Sequence, residues 1–375
     1  MLEANGLAGV AEAPFPNDGW SGATLTVLQR GRDRFVLKRT SAAKDWIVRA
    51  THDVALREGF VANGGMHLVE PLVAPYLGTA SDGDGIAILM PDLSAELIAW
   101  ERPTHEPGVS VATLERVLDA TARLHAMPWA EYRPTTADWS WPWCPLRDRL
   151  LLLTRPSAES YRAEGLAVGE RFLSGWDAFD RLAPAAARAL VEGLSTDPTG
   201  LIDALGRLPS TGLHGDLKLA NVALLDDGRV AFIDWQMMAL APVAVELGWM
   251  LVANSSSLAV DPEGFLDRYR LAAGQAAVDS MHLGGSWPMG DDRSRPEQER
   301  IEGRFGTLPP RGFEATIGDW AAQVDLTWII GLLLRGWRKG LDAEAGETLG
   351  SGVSAVEDLA FWCDRAVEAA GRRLA

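Results

Sequence analysis

Two carboxylates and an amide stand at the ends of two short apolar runs in the middle of the chain. Asp216 and Asn221 precede Val222-Ala223-Leu224-Leu225, and Asp234 follows Val230-Ala231-Phe232-Ile233. Between the runs, Asp226-Asp227-Gly228-Arg229 predicts the turn of a β-hairpin. A hairpin returns on itself, so the three polar side chains can meet at one end of a rigid frame. Oxygen donors of this kind suit Mg²⁺ when the ion also binds phosphates. A lone His214-Gly215-Asp216 would read as a turn, with the Asp bonded to its own backbone. The added offsets to Asn221 and Asp234, on a predicted hairpin, speak against chance.

The step from Asp216 to Asn221 is that of a kinase catalytic loop, in which the Asp orients the substrate hydroxyl and the Asn holds a metal. With Ile233-Asp234-Trp235 after it, the pattern His-Gly-Asp-x-x-x-x-Asn resembles the aminoglycoside phosphotransferase and choline kinase family of small-molecule kinases. The motifs that carry this resemblance run through residues 20 to 255. Protein kinases have Arg where this chain has Gly215, and Phe-Gly where it has Trp235-Gln236. The missing Arg argues against control by a phosphorylated activation loop, and against a protein substrate.

The resemblance implies a two-lobed, protein-kinase-like α+β fold: a small β-rich nucleotide lobe over residues 1–92 and a larger, mainly helical lobe over 93–375. It implies ATP and Mg²⁺ as cofactors, with Asp216 aligning the acceptor hydroxyl and Asn221 and Asp234 holding the metal. Lys38, at the end of the apolar strand Phe35-Val36-Leu37-Lys38, would take the α/β-phosphates. Glu58 would steady Lys38 from a helix over Ala42 to Asn63, with Asp53 as the other candidate. Ser21 and Gly22, in the turn Asp18-Gly19-Trp20-Ser21-Gly22-Ala23, would cover the phosphates with backbone N–H groups. Met90, Asp92 and Leu93 would form the interlobe hinge against the adenine. Lys218 would be catalytic, its ammonium reaching the transferring phosphoryl group. The acceptor would be a small hydroxylated molecule, an aminoglycoside or amino sugar first, with choline or another metabolite as the alternative. A nucleotide-binding regulator without turnover is the rival from another class, and it has no need of Asp216, Asn221 and Asp234 together.

The elements that must position these residues follow from pattern. Thr24–Gln29 and Phe35–Arg39 read as strands around Gly31-Arg32-Asp33, and Pro71–Leu77 and Gly85–Met90 as strands around a loop at 78–84. Helical spacing predicts helices at Val111–Met127 (stopped by Pro128), Leu146–Leu153, Ala167–Arg181, Ala183–Gly193, Thr199–Leu208, Pro242–Ala253, Phe313–Arg338 and Val353–Arg372. Trp139-Ser140-Trp141-Pro142-Trp143 reads as a loop, and 284–311 as a long one. His125 is expected to be structural, as is Asp325 at a helix surface rather than facing substrate. Glu246 falls where the family has an Asp that braces the catalytic loop. One methylene longer, that brace is expected to be shifted or lost. The fifteen tryptophans are expected mostly in the core.

Composition bounds the partners. A net charge of −16 makes nucleic acid and anionic membranes poor ones. The same charge reads either as a generally acidic surface or as a cleft for a cationic acceptor. Cys144 and Cys363 have no metal-ligand spacing and are expected as reduced thiols of a cytoplasmic protein. No secretory signal or membrane span is expected.

Overall fold

The computed structural model describes residues 1–15, 20–65, 72–98, 109–127, 129, 141–282, 315 and 317–374. Asp18-Gly19, Pro71, Pro128, Trp139-Ser140, the 284–311 segment and Phe313 lie outside the described residues.

Alternation of buried and open positions builds an antiparallel sheet at the N-terminal end. Its strands are β1 (Glu12–Pro14), β2 (Thr24–Arg30), β3 (Asp33–Thr40), β4 (Gly78–Asp82) and β5 (Gly85–Pro91), in the order β1-β2-β3-β5-β4. The central strand β3 is covered on both faces, so Val36, Leu37 and Lys38 are buried in succession. Leu37 packs with Leu7, Leu28 and Leu89 on one face. Val36 packs with Ile88 and Met90 on the other, and strand alternation puts Lys38 on that same face.

Two expectations are corrected here. Residues 42–63 do not form one helix but α1 (Trp46–Ala50), α2 (Arg57–Phe60) and a single wide turn, Val61–Gly65. Asp45 caps α1 by accepting the Ile47 and Val48 N–H groups. His52 and Leu56 then take left-handed backbone, and both Asp53 carboxylate oxygens accept the Arg57 N–H, which restarts the chain as α2. Val54, placed on the apolar face by spacing alone, is 96% exposed. The second correction concerns the strand before β5, which is Gly78–Asp82 rather than Pro71–Leu77. Its small polar residues look like loop, yet full pairing with β5 from Gly78↔Leu89 to Asp82↔Gly85 makes them an edge strand. The preceding stretch runs along the central hairpin instead, where Ala74 donates to the Phe232 carbonyl.

The remainder is mainly helical: α3 (Val111–Ala126), α4 (Leu146–Leu151), α5 (Arg155–Ala163), α6 (Ala167–Leu182), α7 (Ala185–Thr196), α8 (Thr199–Leu205), α9 (Val243–Ala253), α10 (Pro262–His282), α11 (Trp320–Glu344) and α12 (Ala355–Arg373). Of these, α5 and α10 carried no expectation. The predicted start of α11 shifts to Trp320, where the Asp319 carboxylate caps it. Helices α6, α9 and α12 pack on α11. Backbones approach closely where α6 crosses α11: a Cβ on Gly175 would lie 2.5 Å from the Trp337 carbonyl, and one on Gly340 would lie 2.5 Å from the Phe179 nitrogen. Most described tryptophans are core, including Trp176, Trp235, Trp337 and Trp362. Between sheet and helices lie two short pairs, β6 (Thr211–Leu213) with β9 (Ala239–Ala241), and the hairpin β7 (Val222–Leu224) with β8 (Val230–Phe232). Among the described residues no helix is long and apolar enough to cross a membrane.

Candidate active site

The loop between β6 and β7 carries His214 to Asn221, and its shape follows from three constraints. Gly215 has φ +82°, and a Cβ there would lie 1.8 Å from the Met237 carbonyl, so only glycine fits. The Glu246 carboxylate, fully buried on α9, accepts the N–H groups of His214 (2.6 Å) and Gly215 (3.1 Å). The brace expected to be shifted or lost is therefore present: the longer Glu side chain reaches both donors. Farther along, the Asn254 side chain accepts the Leu219 N–H at 2.7 Å. His214 Nδ1 accepts the Asp216 N–H, so its Nε2 carries the proton donated to the Ile233 carbonyl at 2.9 Å. One ring thus ties the catalytic loop to the strand end that presents Asp234.

The expected residues converge. Lys38 Nζ lies 2.5 Å from Glu58 Oε2 and 2.8 Å from Asp234 Oδ1. The Tyr76 hydroxyl donates to Glu58 Oε1 at 3.1 Å. Asp53, the other candidate for the Lys38 partner, is engaged with Arg57 instead. Burial disfavours the Lys38 ammonium, but the Asp234 and Glu58 carboxylates outweigh it and lift its pKa above the ordinary lysine range. Burial raises Glu58 even against Lys38, whereas for Asp234 the charges of Lys38 and Lys218 overcome burial and hold the carboxyl low. Asn221 Nδ2 donates to the Asp216 carbonyl at 2.9 Å and to Asp216 Oδ2 at 3.1 Å. Lys218 Nζ lies 3.2 Å from the same Oδ2.

The residues expected at the nucleotide take different places. Gly22 has φ +96° and presses on Lys44, whose carbonyl a Cβ would meet at 2.2 Å. Ser21 accepts the Trp46 N–H through its carbonyl, so the described half of this turn is packed onto α1. Met90 and Leu93 are buried apolar side chains. The Asp92 N–H is donated to the Arg34 carbonyl, and its carboxylate accepts from Arg34 and Ser94. Asp92 thus ties β5 to Arg34 and Ser94 and does not offer its N–H to a ligand, against the expectation. A cavity of about 520 Å³ between α2 and β4–β5, lined in part by Phe60 and Ile86, contains none of these residues.

Other residues here had no sequence signal of their own. The Arg57 guanidinium donates to Pro142 O (2.7 Å), Gln236 O (3.0 Å) and both oxygens of Thr51. Arg149 Nε donates to Gly215 O at 3.0 Å. Both are isolated arginines in helices until the fold brings them beneath the loop. His125 lies in the core against the Tyr269 hydroxyl, as expected. Asp325 is neither substrate-facing nor at the surface: it is 7% exposed and binds Arg372 and Arg373 of α12.

The donor set fits a hard cation. The Asp234 carboxyl is ionised and its side chain is a quarter exposed. Asn221 turns its amide nitrogen to Asp216, which leaves Oδ1 as an acceptor. Among the described residues no three His, Cys, Asp or Glu side chains form a metal site by themselves, so phosphate oxygens would have to complete the coordination.

A β-rich sheet over helices, with a lysine–carboxylate cluster beside an Asp-and-Asn loop, is the architecture of a protein-kinase-like small-molecule phosphotransferase. The chain belongs to the phosphotransferase enzyme family, whose model matches residues 12–283. No curated protein sequence matches it. Among solved structures, choline kinase LicA from Streptococcus pneumoniae is similar at 11% identity, over 98% of this chain and 96% of that one, with a TM-score of 0.44. An aminoglycoside phosphotransferase from Alicyclobacillus acidocaldarius is similar at 14% identity, over 98% and 94%, with a TM-score of 0.41. The Streptomyces rimosus aminoglycoside phosphotransferase APH(3'')-Id is similar at 17% identity, over 73% and 88%, with a TM-score of 0.43. Likenesses this distant say nothing of what this chain acts on.

Proposed function

We propose that this phosphotransferase moves the γ-phosphate of ATP to a hydroxyl of a small molecule, with Asp216 as the residue that aligns and helps deprotonate that hydroxyl. The observation that carries the reading is the ion cluster of Lys38, Glu58 and Asp234, drawn from three remote segments to the strand end that is hydrogen-bonded to the loop carrying Asp216. Lys38 holds the nucleotide phosphates, Glu58 holds Lys38, and Met90 and Leu93 wall the adenine. Asn221 and Asp234 hold Mg²⁺, which when bound supplies charge neutralisation to the phosphates. Lys218, on the Asp216 carboxylate, stands where a cation can stabilise charge developing on the phosphoryl oxygens. Phosphoryl transfer of this kind is positioning plus electrostatics, and the Glu246, His214 and Arg149 bonds supply the positioning.

An aminoglycoside or amino sugar is the acceptor that the chain's acidity and its family favour. The test is ADP release across a panel of hydroxylated amines, sugars and hydroxy acids. At least one acceptor should raise ADP release above the rate in water. Asp216→Asn should lower kcat by about 10²- to 10⁴-fold, with the nucleotide still bound. ATP turnover that no acceptor accelerates, and that Asp216→Asn leaves intact, would sink the proposal.

A further inference from the structure

Buried cations elsewhere in this fold are well supplied with partners. Arg57 donates to three segments of chain, and Lys339 pairs with Asp358. Two guanidiniums beside the catalytic loop are not. Arg149, on α4, is 2% exposed and makes one hydrogen bond, Nε to the Gly215 carbonyl at 3.0 Å, although a guanidinium has five N–H donors. Its carbon lies 4.6 Å from the centre of the Trp249 ring on α9. Arg335, on α11, lies 5.3 Å from the same ring and 5.2 Å from that of Trp337. It forms no ion pair or hydrogen bond among the described residues, and its enclosed Nε has no partner. The Trp249 indole N–H, on a side chain 7% exposed, is also enclosed and unpartnered.

Such an arrangement costs stability in the ligand-free protein. A cation largely withdrawn from water with no direct ion pair is costly, and stacking on an indole and more distant carboxylates such as Asp216 offset only part of that. The expense is visible on Arg335, whose pKa is pulled down to about 10 by burial and then by the Arg338 charge, with Asp342 and Asp216 opposing. Arg338 has its own partner in Asp342 at 2.8 Å. The residue next to the Arg149 hydrogen bond is Asp216, so the unspent donors lie at the acceptor end of the site.

We propose that Arg149 and Arg335, both against the Trp249 indole, receive an anionic group of the acceptor, a carboxylate or phosphate on the hydroxylated molecule that Asp216 aligns. This rests on the phosphotransferase reading and narrows it, turning the acceptor class from amino-bearing to acidic. Paired oxygens match a guanidinium fork, and Trp249 Nε1 is a further donor in the same cluster.

The test uses matched six-carbon probes: glucose, gluconate, glucose phosphate and glucosamine. Binding is read by calorimetry and by thermal melting, without nucleotide, on the wild type, Arg335→Met and Arg335→Lys. At least one of the two anions should bind the wild type more tightly than glucose or glucosamine and raise its Tm. Arg335→Met should weaken that anion about ten- to a hundred-fold, the range of a charge-assisted hydrogen bond, and Arg335→Lys should recover part of it. Ligand-free Arg335→Met should melt at or above the wild type, because an unpaired cation has gone. A merely structural arginine would give a lower Tm. Gluconate alone would identify a carboxylate, and glucose phosphate alone a phosphate.

Glucosamine binding at least as tightly as both anions would overturn the proposal. So would anion binding that Arg335→Met leaves unchanged. Arg335→Met weakening of ATP binding alone, with no anionic probe affected, would give these cations to the nucleotide and also overturn it. Because the readouts need no turnover, absence of phosphoryl transfer with every acceptor would sink the functional reading and leave the anion site standing.

Discussion

Asp234 sits in left-handed backbone, φ 64° and ψ 58°, which a residue with a Cβ enters at a cost of about 1–3 kcal/mol. The neighbours hold it there. Trp235 donates its indole N–H to Phe232 O at 2.9 Å and packs its ring 4.6 Å from His214. Asn tolerates left-handed backbone as Asp does, so Asp234→Asn should fold and melt near the wild type. Without its carboxylate the cluster loses a partner for Lys38 and, under the proposed function, a metal ligand, so turnover with Mg²⁺ should fall at least about 100-fold. Turnover near wild type in a steady-state assay would remove Asp234 from its assigned role. Lys218 is separable by kinetics. Lys218→Ala should lower kcat about ten- to a thousand-fold with little change in nucleotide KM, because a group acting on developing charge is felt mainly in the transition state. An unchanged kcat would leave that ammonium as a neighbour of Asp216 only.

At the scale of elements, the catalytic loop depends on a helix that carries no chemistry. Glu246 of α9 takes two N–H groups of the His214-Gly215-Asp216 turn. Burial works against its charge, but the neighbouring His125 and His214 and the Gly215 N–H outweigh it and hold the carboxyl below the ordinary range. Glu246→Gln should remove about 2–3 kcal/mol of stability, the worth of a charge-assisted hydrogen bond, and lower kcat as the loop loosens. Equal melting of variant and wild type would show that the loop holds itself. The hairpin and its three polar residues were legible in the sequence because contiguous apolar runs and fixed offsets encode them. The break between α1 and α2 was not. Trp46, Ile47, Ala50, Val54 and Phe60 repeat at helical spacing, and the left-handed His52 and Leu56 and the Arg57 N–H donated to Asp53 interrupt it. Arg149 and Arg335 were equally invisible, since nothing local marks an arginine that the fold carries to the catalytic loop or leaves without an ion pair.

Across the whole molecule, the far end of the C-terminal helix is fastened to α11 by a buried acid, in addition to the Lys339–Asp358 pair. Asp325 accepts from Arg372 at 2.6 Å and from Arg373 at 2.7 Å. Burial raises its carboxyl, but the two guanidiniums outweigh that and bring it below the ordinary Asp range. A pKa lower in the folded than in the unfolded chain gives stability that is full above the unfolded value. That stability is lost as pH falls through the folded one. Asp325→Asn should therefore melt lower than the wild type at neutral pH, by about 1–2 kcal/mol after allowance for the half-exposed Arg372 side chain. The gap should close at acid pH. A gap that persists there in thermal melts would mean that shape rather than charge holds the helix. The same fold-wide view separates two readings of the acidic balance: net charge describes the whole chain, and under the proposed anion site Arg149 and Arg335 would set a different local sign.

Arg57 has a mechanical consequence. Glu58 follows it directly and lies between two strands of the sheet in sequence, yet Arg57 bolts this segment to the Gln236 and Pro142 carbonyls on the helical side. If the two halves part to admit a nucleotide, keeping Glu58 with the sheet would break several buried guanidinium bonds at once. Letting it stay behind breaks the contact with Lys38 and lighter ones, such as the Thr79 hydroxyl on Asn63 and Ile86 against Gly59. Such a parting would then run through that contact rather than behind α2, and the lysine–glutamate pair would serve as its latch.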